Sequence, residues 1–182
     1  VLTPISFLFS QWQKFLNRKK HSGSAITEAE LLTIVEESRQ EGALDENEGE
    51  LIRSAIEFND LQASDIYTPR VAVEAADIED GTEEIENMFL ESGFSRLPIY
   101  RRSIDNILGV ITQKDFYANL RTGNKPVEDL IKPVSFVPEV MPVSTLLKLL
   151  QNSKTHLAVV TDEYGGTLGI VTMEDILEEL VG

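Results

Sequence analysis

Gly109-Val110-Ile111-Thr112-Gln113-Lys114-Asp115 returns sixty residues later as Gly169-Ile170-Val171-Thr172-Met173-Glu174-Asp175. Each copy is an apolar run that ends on a threonine and passes at once into a helical pattern, as at a strand-to-helix corner. The repeat extends outward from there. Ser95-Arg96-Leu97-Pro98-Ile99-Tyr100 matches Thr155-His156-Leu157-Ala158-Val159-Val160 at the same offset, and Asp65-Ile66-Tyr67-Thr68-Pro69 matches Asp129-Leu130-Ile131-Lys132-Pro133 at 64. The chain therefore contains two similar halves of about 60 residues, a size at which one core is marginal alone, so the halves should pack on each other.

Both halves read as strand, helix, strand, turn, strand, helix. In the first, Val71 to Val73 is expected to be extended, and Thr82 to start a helix carrying Ile85, Met88 and Phe89. Arg96 to Tyr100 and Ile107 to Ile111 are expected as strands around an Arg101-to-Asn106 turn, followed by a helix from Gln113 to Leu120. The second half repeats this with Ser135 to Val137, Ser144 to Asn152, His156 to Thr161, Thr167 to Val171 and Met173 to Leu180, turning on Gly165-Gly166, where positive φ is easily reached. The alternation of short strands and helices predicts an α/β sandwich with helices over the sheets.

Composition narrows the chemistry. The 182 residues hold 16 Lys plus Arg against 31 Asp plus Glu, a net charge of −15, with 42% apolar residues and no cysteine. The apolar fraction supplies a packed core and argues against disorder. The acidic balance argues against a nucleic-acid partner, since phosphate backbones reward Lys and Arg. Without Cys there is no disulfide framework and no thiolate chemistry, and with only two His a nitrogen-and-sulfur zinc site is nearly excluded. No P-loop and no nucleophile with a partnering His and acid is present, so an enzyme is not expected.

The charge is uneven. Lys14, Arg18, Lys19 and Lys20 fall in the first 27 residues, which contain no acid. Val1 to Leu16 is apolar, with Phe7, Phe9, Trp12 and Phe15. It is too short to span a bilayer, which takes roughly 20 apolar residues. An aromatic apolar run followed by cations resembles the cytoplasmic end of a membrane segment, and an arm packed on the domain fits equally well. The chain begins with Val, as a fragment would.

Residues 28 to 60 carry eleven acids against Arg39 and Arg53. Thr27 with Glu30, and Asp45 with Glu48, have capping-box spacing and predict two short antiparallel helices with an apolar seam (Leu31, Ile34, Val35, then Leu51, Ile52, Ala55, Ile56) and a carboxylate-rich outside. Asp45 to Glu50 does not make a calcium loop, because Glu50 stands where an EF-hand requires Gly. A solvated acidic face is the simplest reading, and an acidic docking surface the alternative.

The two corners carry the functional signal. At a helix N-terminus, unpaired N–H groups and the positive dipole end favour an anion. The Thr hydroxyl there can donate to a phosphate oxygen, and the Asp one turn on can accept from both ribose hydroxyls. Thr-x-x-Asp is equally a variant capping box that needs no ligand. The readings are compatible, since one junction can cap itself when empty and receive phosphate when filled.

These residues resemble a known family. Gly93-Phe94-Ser95-Arg96-Leu97-Pro98 and the twice-present Gly-apolar-apolar-Thr-x-x-Asp are similar to a tandem of cystathionine-beta-synthase (CBS) domains, a Bateman module. More narrowly, GFSRLPIY and VVTDEYGGTLGIVTMEDILEELVG resemble the cytosolic part of CorC-like and cyclin-M-like, or hemolysin-like, membrane proteins linked to magnesium and cobalt efflux. The resemblance covers about residues 25 to 182. It implies a CBS pair, a pseudo-two-fold α/β sandwich preceded by a short acidic helical hairpin. The corresponding divisions are a juxtamembrane arm or linker at 1–24, an acidic helical segment at 25–60, and CBS domains at 61–122 and 123–182.

The resemblance also implies a role. Such pairs usually sense adenosine nucleotides, stack as homodimers, and sit at the cytoplasmic face of the cell membrane beside an upstream transmembrane domain of the same protein. The swapped family site, carried over, joins Thr68 and Arg70 to Thr155, His156, Thr172 and Asp175. Asp175 would then hold ribose, Thr172 and Thr68 phosphate, and backbone near Ile66 and Ala158 the adenine. The pseudo-symmetric second cleft would use Arg96, Thr112, Asp115 and Lys132, with Lys132 in the place of Thr68. AMP alone or ATP with Mg²⁺ is the expected ligand, the metal held through phosphates and not by protein side chains. The alternative function is a structural dimerisation scaffold with vestigial clefts.

Overall fold

Both Thr-x-x-Asp strings lie where a strand hands over to a helix. A computed structural model describes residues 27–123 and 125–181, so the 1–24 arm expected from the sequence lies outside the described residues. The chain divides into two compact units at Gly49 and Glu50.

In the first unit Thr27 caps helix α1 (Glu28–Gln40): Thr27 Oγ1 accepts from the Glu30 N–H at 3.3 Å, and the Glu30 carboxylate accepts from the Thr27 N–H at 3.0 Å. Asp45 and Glu48 make the same reciprocal box, at 2.8 and 2.9 Å, at the head of helix α2 (Glu46–Glu57). Both caps stand where spacing put them. Helix α1 buries no residue, and Leu31 and Ile34 are 40% and 50% exposed.

The second unit holds the repeat. A one-turn helix α3 (Ala63–Ile66) leads into strand β1 (Thr68–Pro69) and, after a 3-10 turn at Arg70–Ala72, strand β2 (Ala76–Asp77). Helix α4 (Thr82–Ser92), strands β3 (Arg96–Arg101) and β4 (Ser103–Thr112) and helix α5 (Gln113–Thr122) complete the first half. The second half repeats these as β5 (Ser135–Pro138), α6 (Val143–Ser153), β6 (Leu157–Thr161), β7 (Thr167–Thr172) and α7 (Met173–Val181). Two expectations are corrected. Val71 to Val73 is not a strand, because Pro69 with φ −59° starts a tight turn closed by the Val73 N–H on the Arg70 carbonyl. The Arg101-to-Asn106 turn shrinks to Arg102 (φ +66°), whose N–H donates to Asp77 Oδ2 at 2.8 Å while the strands continue on both sides.

The sheets are built by exchange. One has the order β2-β3-β4, with β2 parallel to β3 and β3 antiparallel to β4. The other has the order β1-β7-β6-β5, so its edge comes from the first half: Thr68 pairs with Ile170 and Pro69 with Gly169. The second half reciprocates. Lys132 bridges Val110 of β4, its N–H donating to the Val110 carbonyl at 2.8 Å and its carbonyl accepting from the Val110 N–H at 2.9 Å.

Side chains follow the backbone across. Phe58 and Ala63 are buried with Val137, Leu146, Leu150 and Ile176, and Ile66 and Tyr67 pack on that core. Leu130 and Ile131 pack on the first half's core of Ile85, Phe89, Leu97 and Phe116. Ile107, Val110, Leu157 and Val159 form a third buried cluster made from both halves. Burial of this kind is the main favourable contribution to folding, at about 25 cal/mol per Å² of apolar surface. Much of it exists here only when both halves are present.

Candidate functional site

At the β7–α7 corner, Thr172 Oγ1 accepts from the Asp175 N–H at 3.2 Å and donates to Asp175 Oδ2 at 2.8 Å. The same oxygen accepts from the Thr172 N–H at 2.7 Å. At the β4–α5 corner, Thr112 Oγ1 donates to Asp115 Oδ2 at 2.6 Å and accepts from the Asp115 N–H at 3.3 Å. The capping reading therefore describes both corners as they stand. In the first turn of α7 the Met173 N–H donates to the His156 carbonyl at 2.9 Å, and among the described residues Asp175 Oδ1 has no hydrogen-bond partner, which leaves that oxygen open to a sugar hydroxyl.

The corners differ in charge. Lys132 Nζ donates to Asp115 Oδ2. That ammonium, with the Thr112 hydroxyl second, holds the Asp115 carboxyl below the usual carboxylate range against a small opposing effect of burial. The exchanged residue at the Asp175 corner is the uncharged Thr68.

A cavity of about 420 Å³ lies at the Asp175 corner. The second half contributes His156, Leu157, Ile170, Thr172, Glu174 and Asp175. The first contributes Thr68, the Ala72–Glu74 turn and the Gly93–Arg96 stretch with Pro98. Exchange at β1 is what carries Thr68 to this wall. Gly93 closes α4 in the left-handed region at φ +69°, and Phe94 follows it half exposed, its N–H donating to Ser92 Oγ at 3.2 Å.

Of the residues singled out from sequence, Thr68, His156, Thr172 and Asp175 come together on this wall. Arg96, expected at the second cleft, lines this cavity instead, where β3 begins. The other four lie elsewhere. Ile66 packs on the core, and Ala158 is fully buried between Ser135 and Val171 in the sheet. Thr155 Oγ1 lies 2.7 Å from Ser153 Oγ. Arg70 pairs with Asp105 at 3.2 Å, and the same Asp105 oxygen accepts from the Thr167 N–H at 3.0 Å. Sequence reading missed Phe94, Ser95, Glu74 and Glu174 as wall residues. The Gly93-to-Pro98 string was the available signal for the first two.

A second cavity, also about 420 Å³, is lined by Asp115, Ala118, Asn119, Thr122, Lys125 and the Asp129–Lys132 stretch. Asp115 and Lys132 are thus together as expected, while Thr112 is not on its wall. Among the described residues no cluster of His, Cys, Asp and Glu is arranged to hold a metal, and no helix is long and apolar enough to cross a membrane.

The family model of the CBS domain matches residues 63–121 and 127–182. The chain is 35% identical over 170 residues to UPF0053 protein YugS of Bacillus subtilis, covering 92% of this chain and 39% of that protein. It is 35% identical over 183 residues to a putative chloroplastic DUF21 domain-containing protein of Arabidopsis thaliana, covering 98% of this chain and 28% of the relative. The chain therefore spans well under half the length of these relatives. Among solved structures, the CBS domain of the bacterial CNNM/CorC family Mg²⁺ transporter is similar at TM-score 0.78 and 38% identity, over 86% of this chain and 97% of that one. The same domain in complex with ATP matches at TM-score 0.67 and 39% identity, over 72% and 95%. A CBS-domain pair with bound AMP from Klebsiella pneumoniae matches at TM-score 0.57 and 32% identity, over 67% and 99%.

Proposed function

The chain belongs to the CBS-domain family, as a tandem pair of the CNNM/CorC kind, and we propose that it is a nucleotide-sensing regulatory module without catalytic activity of its own. An adenosine nucleotide, AMP or ATP with Mg²⁺, occupies the cavity at the Asp175 corner. Its occupancy biases divalent-cation transport by a transmembrane domain of the same protein, with this module on the cytoplasmic face as a homodimer.

One observation carries this reading: exchange between the halves gathers Thr68, Arg96, His156, Thr172 and Asp175 around a single cavity. Asp175 accepts from the ribose hydroxyls. The Thr172 and Thr68 hydroxyls and the α7 N-terminus face phosphate, and Arg96 supplies a fixed positive charge. Glu74 and Glu174 on the same wall repel a bare triphosphate, so ATP requires Mg²⁺ whereas AMP does not. The solved relatives with ATP and with AMP support this ligand class. Because the cavity wall comes from both halves, a ligand that favours one arrangement of the halves shifts the population toward it, and transport state feeds back on nucleotide affinity by linkage.

Thermal shift and calorimetry with AMP, ADP, ATP and Mg-ATP test the proposal, comparing wild type with Asp175→Ala. A binder gains stability by mass action and the variant loses that gain. A second reading, a dimerisation scaffold with vestigial clefts, has the self-satisfied corners in its favour. It predicts no shift with any nucleotide.

A further inference from the structure

The exchange delivers different chemistry to two equivalent corners. Thr68 lies opposite Ile170 in β7, and Lys132 lies opposite Val110, the matching position in β4. The backbone fit is the same at both places: a Cβ on Gly169 would press on the Thr68 carbonyl oxygen, and one on Gly109 on the Lys132 carbonyl oxygen. Thr68 stops short of Asp175 as a neutral wall residue. Lys132 instead reaches along its corner until its ammonium meets the Asp115 carboxylate.

We propose that Lys132 is a built-in occupant of the Asp115 corner, standing where a ribose would bind, so that the chain takes one nucleotide and holds a second, latent site closed. This inference rests on the nucleotide-binding reading of the corners. The same Asp115 Oδ2 that receives the Thr112 hydroxyl also receives the ammonium. A sugar hydroxyl competing for that oxygen offers a neutral hydrogen bond in exchange for a charge-assisted one, and it competes against a group already held nearby by two backbone hydrogen bonds. The depressed Asp115 carboxyl agrees with an oxygen whose charge is already compensated. The cavity of about 420 Å³ beside Asp115 and Lys132 is lined along α5 by Ala118, Asn119 and Thr122 and does not include Thr112.

The test is titration calorimetry of the full 182-residue chain with AMP, and separately with Mg-ATP, reading the number of sites. Wild type is expected to bind one nucleotide, Lys132→Thr two, and Lys132→Arg one. The double variant Lys132→Thr/Asp175→Ala should bind one, and adding Asp115→Ala should remove it. Lys132→Gln replaces Lys132→Thr if the latter melts before titration, with the same expected count. Two sites in wild type, or one site in both Lys132→Thr and Lys132→Gln, overturn the inference and leave the proposed function intact. No binding in wild type but an Asp115-dependent site in Lys132→Thr overturns the Asp175 site and supports the latent one. No binding in any variant overturns both.

Discussion

A threonine hydroxyl has one proton to give and two lone pairs to fill, and Thr172 spends the proton on Asp175 when the cavity is empty. A phosphate oxygen that takes this proton leaves the carboxylate to the ribose, so the corner changes partners without unpairing a group. Hydrogen bonds to a charged group contribute about 1.5–3 kcal/mol each, so Asp175→Ala is expected to weaken nucleotide binding on the order of ten- to a hundredfold, as calorimetry would read. Asp115 makes a separate prediction. Its carboxyl is held low by Lys132 and Thr112, so the stability it contributes is complete above the usual carboxylate range and is lost as pH falls through the lower folded value. The melting temperatures of wild type and Asp115→Asn should therefore differ at neutral pH and converge in acid. The difference should be modest, since the side chains of Lys132 and Asp115 are 56% and 37% exposed and water screens such pairs to about 0–1 kcal/mol. At this scale the sequence was informative about residue type and less so about address. Thr172 and Asp175 are fixed by a motif that is also a cap. Arg96 was assigned to the second cleft by pseudo-symmetry and lines the cavity at the Asp175 corner, while Ala158, which the resemblance put beside adenine, has its side chain fully buried in the sheet.

Strands and helices were legible wherever apolar periodicity ran long. Helices α4 to α7 and strands β3, β6 and β7 match their expected ranges closely, because each buries one face in a continuous core. Strand β2 was not legible: two residues, Ala76 and Asp77, leave no period to count, and only pairing with Ile99 and Tyr100 defines it. The exchanged pairing was equally hidden, since nothing local in Asp65-to-Pro69 names its partner strand. Its trace is the glycine opposite. Gly169 lies so close to the Thr68 carbonyl that any side chain must push β1 away. We expect Gly169→Ala to cost about 1–3 kcal/mol by overpacking. By moving Thr68 it should also weaken nucleotide binding beyond what the stability loss explains. Chemical denaturation and calorimetry on the same sample separate the two effects.

At the scale of the molecule, a net charge of −15 acts on a ligand that is itself an anion. Salt screens the distant part of this repulsion, with a Debye length of about 8 Å at physiological ionic strength. It does not screen Glu74 and Glu174 on the cavity wall. ATP affinity should fall sharply in EDTA compared with excess Mg²⁺, while AMP affinity should hardly change. Equal ATP affinity in both conditions would remove magnesium from the proposed regulation.

The traded edges have one more consequence. A half cut free of its twin would lose the strand or bridge that finishes its sheet, and it would present raw backbone donors and acceptors together with an uncovered apolar flank. Only another copy of much the same sequence could mend that wound. A single half made alone is therefore expected to associate with a second copy of itself, the borrowed edge then coming from a neighbouring molecule instead of from the same chain.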